Sequence, residues 1–350
     1  MRRFRIVQVG LGRWGRNWAI EVLPQIPEVE LVACVDAAPA ALAEAVKAGI
    51  ACEADCYSSV EAVLSACEFD ALLVTTDLMS HVPVIRRAVE AGKAVLCEKP
   101  LAPTLDEARE VTELAAEMGV TLMVSQNYRF FPAVRAVQQL VRERALGRLV
   151  HIAIDFRRFS PPGGEVGHRS WAQPLLLDMS IHHFDLLRAV TGHDAMSVRC
   201  WTWNPEWAGY KDPPEGTATI LFDDDLVVSY RGTWISPANP TPWAGEWRMA
   251  FEKGELWWTS RDDRMSVAGD RVDRFEHRTP GIAEPVKLPT LRYVDRAGSL
   301  AQFLHCLQEG TEPETTAQDN LASLAITYAA AESARRGEEV RLATEDNLWP

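Results

Sequence analysis

No apolar run in this 350-residue chain reaches membrane-spanning length, and Met1-Arg2-Arg3 leads straight into a strand too short for the apolar region of a signal peptide. A soluble, cytoplasmic protein with no membrane partner is expected. Basic residues are in deficit, with 36 Lys and Arg against 49 Asp and Glu and a net charge of −13. That balance disfavours nucleic acid and anionic lipid surfaces. Cysteine lacks a pattern: the seven copies are odd in number and show no repeated C-x-x-C, so they read as reduced thiols. Cys52 and Cys56 are neighbours without a second ligand pair, and no metal is expected. Low-complexity runs and internal repeats are absent too, while 47% of the residues are hydrophobic, enough for two packed cores.

What is present begins at Phe4-Arg5-Ile6-Val7-Gln8-Val9, a short buried strand that runs into Gly10-Leu11-Gly12-Arg13-Trp14-Gly15. This is a G-x-G-x-x-G turn between strand and helix. Its first glycine permits a tight turn, the second lets a pyrophosphate approach the backbone, and the third lets helix pack on strand. A helix over about Trp14 to Leu23 follows, and a second strand, Val29 to Val35, ends in Asp36. An acidic residue about 20 positions beyond the glycines accepts the ribose hydroxyls of a dinucleotide. Ala37-Ala38-Pro39-Ala40-Ala41 supplies no cation for a 2′-phosphate, so NAD is expected rather than NADP.

Strand and helix patterns then alternate as far as Thr121 to Val124, which indicates right-handed βαβ crossovers and a parallel sheet. Two features on strand ends carry chemistry. The loop Thr75-Thr76-Asp77-Leu78-Met79-Ser80-His81 should border the cofactor, with Ser80 as a helix cap. Val95-Leu96-Cys97-Glu98-Lys99-Pro100 delivers a lysine to the carboxyl end of its strand, where open α/β sheets bind ligands. Beyond Asn127 strands dominate: Leu149 to Phe159, Met196 to Trp203, Thr217 to Phe222, Leu226 to Trp234, Glu246 to Phe251 and Glu255 to Trp258. The expected fold class is therefore α/β, an N-terminal Rossmann parallel sheet over residues 1–126 and a C-terminal α+β domain over 127–350 with a large, mainly antiparallel open sheet.

Within that second domain, Leu175 to Leu187 reads as a helix ending at Thr191-Gly192. Asp178, His182 and Asp185 fall along one face, beside an apolar stripe of Leu177, Ile181, Phe184 and Leu187. A histidine beside a carboxylate suits a general base; an ordinary i,i+4 surface pair fits the same spacing. A metal site is the weaker reading, because His183 points about 100° away from His182.

Taken in order, Gly10-x-Gly12-x-x-Gly15, Asp36, Thr75-Thr76 with His81, Glu98-Lys99-Pro100, Asn127-x-Arg129-Phe130-x-Pro132 and Asp178-x-x-x-His182-x-x-Asp185 resemble the glucose-fructose oxidoreductase and inositol dehydrogenase family, often called Gfo/Idh/MocA. The resemblance runs through nearly the whole chain. It implies NAD(P)-dependent oxidation or reduction of sugars, polyols or their derivatives, with Lys99, Asp178 and His182 as the catalytic trio and a cis bond at Lys99-Pro100. Cofactor contacts are expected at Gly10, Gly12, Arg13, Trp14, Gly15, Asp36, Thr75, Thr76, His81, Glu98, Lys99 and Asn127. The family's open sheet often forms the oligomer interface, which implies a homodimer or homotetramer.

This chain departs from the family in one stretch. Ala172-Gln173-Pro174 stands where a glycine-rich run is common, and Ser180 where glycine is frequent. These changes alter the substrate wall and leave the proposed hydride-transfer residues in place. Substrate contacts are expected from Lys99, Asp178 and His182 together with Arg157, His168, Arg169 and Trp171, around the loop Ser160-Pro161-Pro162-Gly163-Gly164. An arginine pair there suits the carboxylate or phosphate of a sugar acid, although loop arginines are more often simply solvated. The alternative function is a non-catalytic nucleotide-binding regulator or scaffold on the same fold.

Overall fold

The structure is a computed structural model that describes residues 3–160, 172–260, 270–276 and 282–342. They form two compact units, one of Met1–Asn127 with Arg292–Leu321 and one of Tyr128–Leu291 with Ala322–Pro350.

The first unit is a six-stranded, all-parallel sheet built from β1 (Phe4–Val9), β2 (Val29–Val35), β3 (Cys56–Tyr57), β4 (Ala71–Val74), β5 (Ala94–Glu98) and β6 (Leu122–Ser125). Its order is β3-β2-β1-β4-β5-β6, so the chain reverses direction between β1 and β4. Continuous apolar runs such as Ala71-Leu72-Leu73-Val74 are buried on both faces, as a parallel sheet covered by helices requires. The crossover helices are α1 (Arg13–Asn17), α2 (Pro39–Lys47), α3 (Val60–Ala66), α4 (Leu78–Glu90) and α5 (Leu105–Glu117). Only α1 departs from the expected regular helix: a π turn over Trp18–Val22 and a 3₁₀ turn over Leu23–Gln25 complete it. The cap of α4 is Asp77 rather than Ser80. Asp77 Oδ1 accepts from Met79 N at 3.1 Å, and the Ser80 hydroxyl donates to Oδ2 at 2.8 Å.

Arg292–Leu321 comes from far along the chain and folds with this unit. A reason is visible at β6: Val124 N donates to Thr315 O at 2.9 Å, and the Thr315 hydroxyl donates to Val124 O at 2.6 Å.

The second unit centres on a nine-stranded sheet. Its strands are β7 (Leu149–Arg157), β8 (Ala195–Trp203), β9 (Glu215–Phe222), β10 (Val227–Thr233), β11 (Glu246–Phe251), β12 (Gly254–Ser260), β13 (Asp270–Glu276), β14 (Ala283–Pro285) and β15 (Val340–Arg341). The order is β14-β13-β12-β11-β7-β10-β9-β8-β15, antiparallel except for the parallel pair β7 and β10. Strand parity assigns the faces: Ile152, Ile154 and Phe156 of β7 are buried, while Asp155 and Arg157 point the other way. On the buried face lie α6 (Pro132–Arg142) and α7 (Ile181–Thr191), and their Val134, Val137, Phe184 and Leu187 share one core with Trp247 and Trp258. The other face carries exposed Trp201, Trp203 and Leu221. The closing helices of the chain are α8 (Asp295–Glu309), within Arg292–Leu321, and α9 (Ala317–Arg336). Among the described residues no helix is long and apolar enough to cross a membrane.

Candidate active site

The glycine turn of the first unit is held by a small buried network. Gln8, on β1, donates from Nε2 to Gly15 O at 2.7 Å and to Thr75 Oγ1 at 3.0 Å, and the Thr75 hydroxyl donates to Gly10 O at 2.7 Å. The three glycines then have different work. Gly10 sits at φ +95°, where a Cβ would stand 2.6 Å from Thr76 N. A Cβ on Gly15 would lie 1.9 Å from Gly10 O, so this position cannot carry a side chain without moving the turn. Gly12 has nothing within 4 Å of a Cβ position and is exposed, as are Arg13 and Trp14 beside it. Room at the middle glycine, with crowding at the outer two, is the arrangement that lets a pyrophosphate approach the backbone. The residues present therefore fit a dinucleotide.

Asp36, at the end of β2, has its carboxylate oriented by backbone donors: Leu11 N reaches Oδ2 at 2.7 Å and Ala38 N reaches Oδ1 at 2.8 Å. Thr76 is partly exposed next to the buried Thr75. His81, on α4, is buried and its Nδ1 lies 2.8 Å from Pro100 O. Burial lowers its pKa below the ordinary histidine value, against the opposing pull of the Pro100 carbonyl and Glu98.

At the carboxyl end of β5, Glu98 is buried and both its oxygens are engaged. Oε1 accepts from Trp18 Nε1 at 2.7 Å, and Oε2 accepts from the Lys99 amide at 3.2 Å. Glu98 thus fixes the corner that presents the half-buried Lys99, and the Lys99-Pro100 bond is cis. Asn127 donates from Nδ2 to Asp295 Oδ1, whose carboxyl burial holds above the usual carboxylate pKa. Arg296, the next residue, stacks over Trp14 with Cζ 4.3 Å from the ring centroid and over Trp18 at 5.4 Å. It contacts the glycine turn from about the 300th position of the chain. No local motif marks it.

In the second unit, Asp178 and His182 straddle a change of helix type. Leu175–Ser180 is a π turn that continues into α7 at Ile181. The four-residue spacing between them consequently lacks ideal α-helical phase. Asp178 is partly exposed, whereas His182 is buried with its ring stacked on Tyr128, centroids 4.2 Å apart and planes 15° apart. Asp185 has a structural partner instead of a place beside them. Arg129 grips it through Nε at 2.7 Å and Nη2 at 2.6 Å, and the Ser323 hydroxyl donates to Oδ1 at 2.8 Å. His183 is fully buried: Nε2 donates to Trp243 O at 2.9 Å, and Nδ1 lies 3.1 Å from the Tyr230 hydroxyl. Burial pushes its pKa down to about 4, with the Trp243 carbonyl pulling the other way.

Arg157 lies on the sheet face that carries Asp155, Arg231 and Glu246. It pairs with Asp155 and, through Nη2 at 2.9 Å, with Glu246. Its neighbour Arg158 continues the parity of Phe156, and Phe156 packs on His183 of α7 at 5.2 Å. His168, Arg169 and Trp171 lie outside the described residues. Sequence reading also misses Tyr128, although its place beside the Asn127-x-Arg129 motif is a usable signal.

A model of the oxidoreductase family with an NAD-binding Rossmann fold matches residues 4–126, and the GFO/IDH/MocA C-terminal domain matches residues 134–270. The chain is 32% identical over 278 residues to a myo-inositol dehydrogenase of Streptomyces leeuwenhoekii, covering 77% of this chain and 81% of that one. It is 27% identical over 354 residues to D-apiose dehydrogenase of Paraburkholderia graminis, covering 98% and 90%. Among solved structures, the aldose-aldose oxidoreductase of Caulobacter crescentus complexed with glycerol superposes with a TM-score of 0.83 at 21% identity, over 97% of this chain and all of the other.

Proposed function

Since the chain belongs to the Gfo/Idh/MocA oxidoreductase family, we propose that Lys99, Asp178 and His182 carry out its hydride-transfer chemistry, the interconversion of a CH–OH group and a carbonyl on a sugar, polyol or sugar derivative. Of its relatives, one is named for myo-inositol and one for D-apiose. The observation that carries the residue assignment is the corner at Lys99: a buried, doubly hydrogen-bonded Glu98 fixes it at the end of β5, in the unit that holds the glycine turn.

The nicotinamide, when bound, supplies the hydride acceptor or donor. His182 takes the hydroxyl proton in the oxidative direction, with its ring plane set by the stack on Tyr128. Asp178 supports the imidazolium that results. The Lys99 ammonium donates to the reacting oxygen and stabilises the developing alkoxide. Reduction reverses these roles. NAD is preferred over NADP, because a 2′-phosphate would meet the Asp36 carboxylate and Ala37-Ala38 offers no cation to pair with it. The protein works in the cytoplasm as a homodimer or homotetramer through the exposed sheet face bearing Trp201, Trp203 and Leu221.

The test is NADH appearance across a panel of aldoses, inositols and sugar acids, run beside Lys99→Ala. Turnover should fall at least a hundredfold in the variant while NADH affinity stays within threefold. Equal turnover in both proteins removes Lys99 from the mechanism, and NADH binding with no turnover on any panel member moves weight to the nucleotide-binding regulator or to a substrate outside the panel.

A further inference from the structure

The end of β7 places an arginine where the catalytic histidine's surroundings need an explanation. Arg158 is half-buried, and its Cζ lies 3.6 Å from the centroid of the Trp243 ring. Trp243 in turn stacks on Phe156 at 6.4 Å, meets Trp234 at 6.2 Å and accepts from His183 through its carbonyl. Tyr128, the ring stacked on His182, packs against the cluster that holds Phe156 and Trp234. One aromatic cluster therefore carries this guanidinium on Trp243 and packs against Tyr128, the ring under the proposed general base, all within the second unit.

Two nitrogens of Arg158, Nε and Nη2, are shielded from solvent and meet no hydrogen-bond partner among the described residues. No ion pair engages the side chain there either. Burial lowers its pKa to about 10, so the group remains a cation at neutral pH. A cation–π stack is a weaker interaction than the two charge-assisted hydrogen bonds that this edge forgoes, so packing on Trp243 does not by itself account for the arrangement.

The same unit shows what that edge accepts. Arg129 uses its Nε and Nη2 to hold the Asp185 carboxylate at 2.7 and 2.6 Å. Arg157, one residue away from Arg158, has its carboxylates already, in Asp155 and Glu246 on the opposite sheet face. We infer that Arg158 is a substrate-recognition residue whose Nε–Nη2 edge takes a carboxylate, so that the preferred substrate is a polyhydroxylated acid, an aldonate or uronate, rather than a neutral polyol. The inference rests on the dehydrogenase reading above for its reaction and on Arg158 alone for its charge. A single guanidinium matches the one negative charge and planar fork of a carboxylate; a phosphate dianion would call for a second cation.

Two measurements test it separately from that reading. Calorimetric titration of the NADH-loaded protein with D-galacturonate and with D-galactose requires no turnover. The acid should bind at least tenfold more tightly, and Arg158→Gln and Arg158→Lys should both erase the difference, the lysine because it keeps the charge without the fork. Equal binding of acid and sugar, or binding of neither up to 50 mM, overturns the inference, as does a preference that survives in both variants. With NAD, kinetics on D-gluconate, D-glucitol and D-glucose 6-phosphate follow. The expected loss in Arg158→Gln is tenfold to a hundredfold in kcat/KM for the acid, carried by KM rather than kcat. A preference for the phosphate overturns the carboxylate assignment while leaving the dehydrogenase intact. Because the wild-type ratios alone decide the acid preference, misfolding of a variant does not protect the inference.

Discussion

Removing the titration of His183 should flatten the acid limb of the stability profile. The folded protein holds this imidazole neutral, fully buried between the Trp243 carbonyl and the Tyr230 hydroxyl, with a pKa of about 4 against 6.5 in the unfolded chain. Between those two values the unfolded chain binds a proton that the folded one refuses. The contribution is therefore complete above pH 6.5, declines as pH falls through the window, and is gone below pH 4. A gap of about 2.5 units corresponds to about 3 kcal/mol, of which about 1.4 kcal/mol is lost by pH 5.5. The perturbation is His183→Gln, whose amide can still donate toward Trp243 O while having no proton to gain. Urea unfolding at pH 7.5, 5.5 and 4.5, followed by tryptophan fluorescence, reads mainly the second unit, where most tryptophans lie. The variant should start lower at pH 7.5, by the cost of an imperfect replacement, and then lose about 2.5 kcal/mol less than wild type by pH 4.5. Curves that fall in parallel would refute the assignment, because carboxylates and His81 titrate alike in both proteins.

Other expectations follow from the same geometry. Gly12→Ala should leave the melting temperature within about 2 °C and weaken NADH binding at least tenfold, since its Cβ meets only open space in the fold; Gly15→Ala should lower both, because its Cβ would sit 1.9 Å from Gly10 O, and calorimetry with thermal melts separates the two. Asp185→Asn removes the charge from the buried pair with Arg129, and a loss of about 3–5 kcal/mol in denaturant unfolding is expected, with a loss under about 1 kcal/mol refuting a structural role for the pair.

The glycine turn, Asp36 and the Lys99 corner were legible in sequence because each is local: a tight turn, a strand end and an X-Pro step are all written in a few adjacent residues. The alternation of Ala71-Leu72-Leu73-Val74 and its fellows with helical stretches marked the parallel sheet for a similar reason, since a strand buried on both faces leaves an unbroken apolar run. Long-range placement was not legible in this way. Arg292–Leu321 looks like any helical stretch of the second half, and contacts with residues distant in sequence, from Thr315 to Val124, Asp295 to Asn127 and Arg296 to Trp14 and Trp18, attach it to the first unit. Strands β13 and β14 went unread because Asp270-Arg271-Val272-Asp273-Arg274-Phe275-Glu276 has few apolar residues, and Ala283-Glu284-Pro285 is too short for any period. The π turn at Leu175–Ser180 was hidden as well, because an extra residue per turn leaves no compositional mark.

Arg157 and Arg158 lie between these cases. Charge and nearness to the loop favour neither, yet Ile152, Ile154 and Phe156 fix the buried parity of β7, and that parity runs on to 158. An argument from period two selects Arg158 from sequence alone. The same alternation explains why Arg157 belongs with Asp155 and Glu246: on a two-sided sheet, adjacent arginines must face different surroundings, and here one face supplies two carboxylates while the other supplies an indole. Net charge obscured this. A chain at −13 has carboxylates to spare for its exposed cations, so an arginine that meets none among the described residues, in the cluster packed on the helix proposed to hold the general base, is a placement that composition cannot account for and substrate chemistry can.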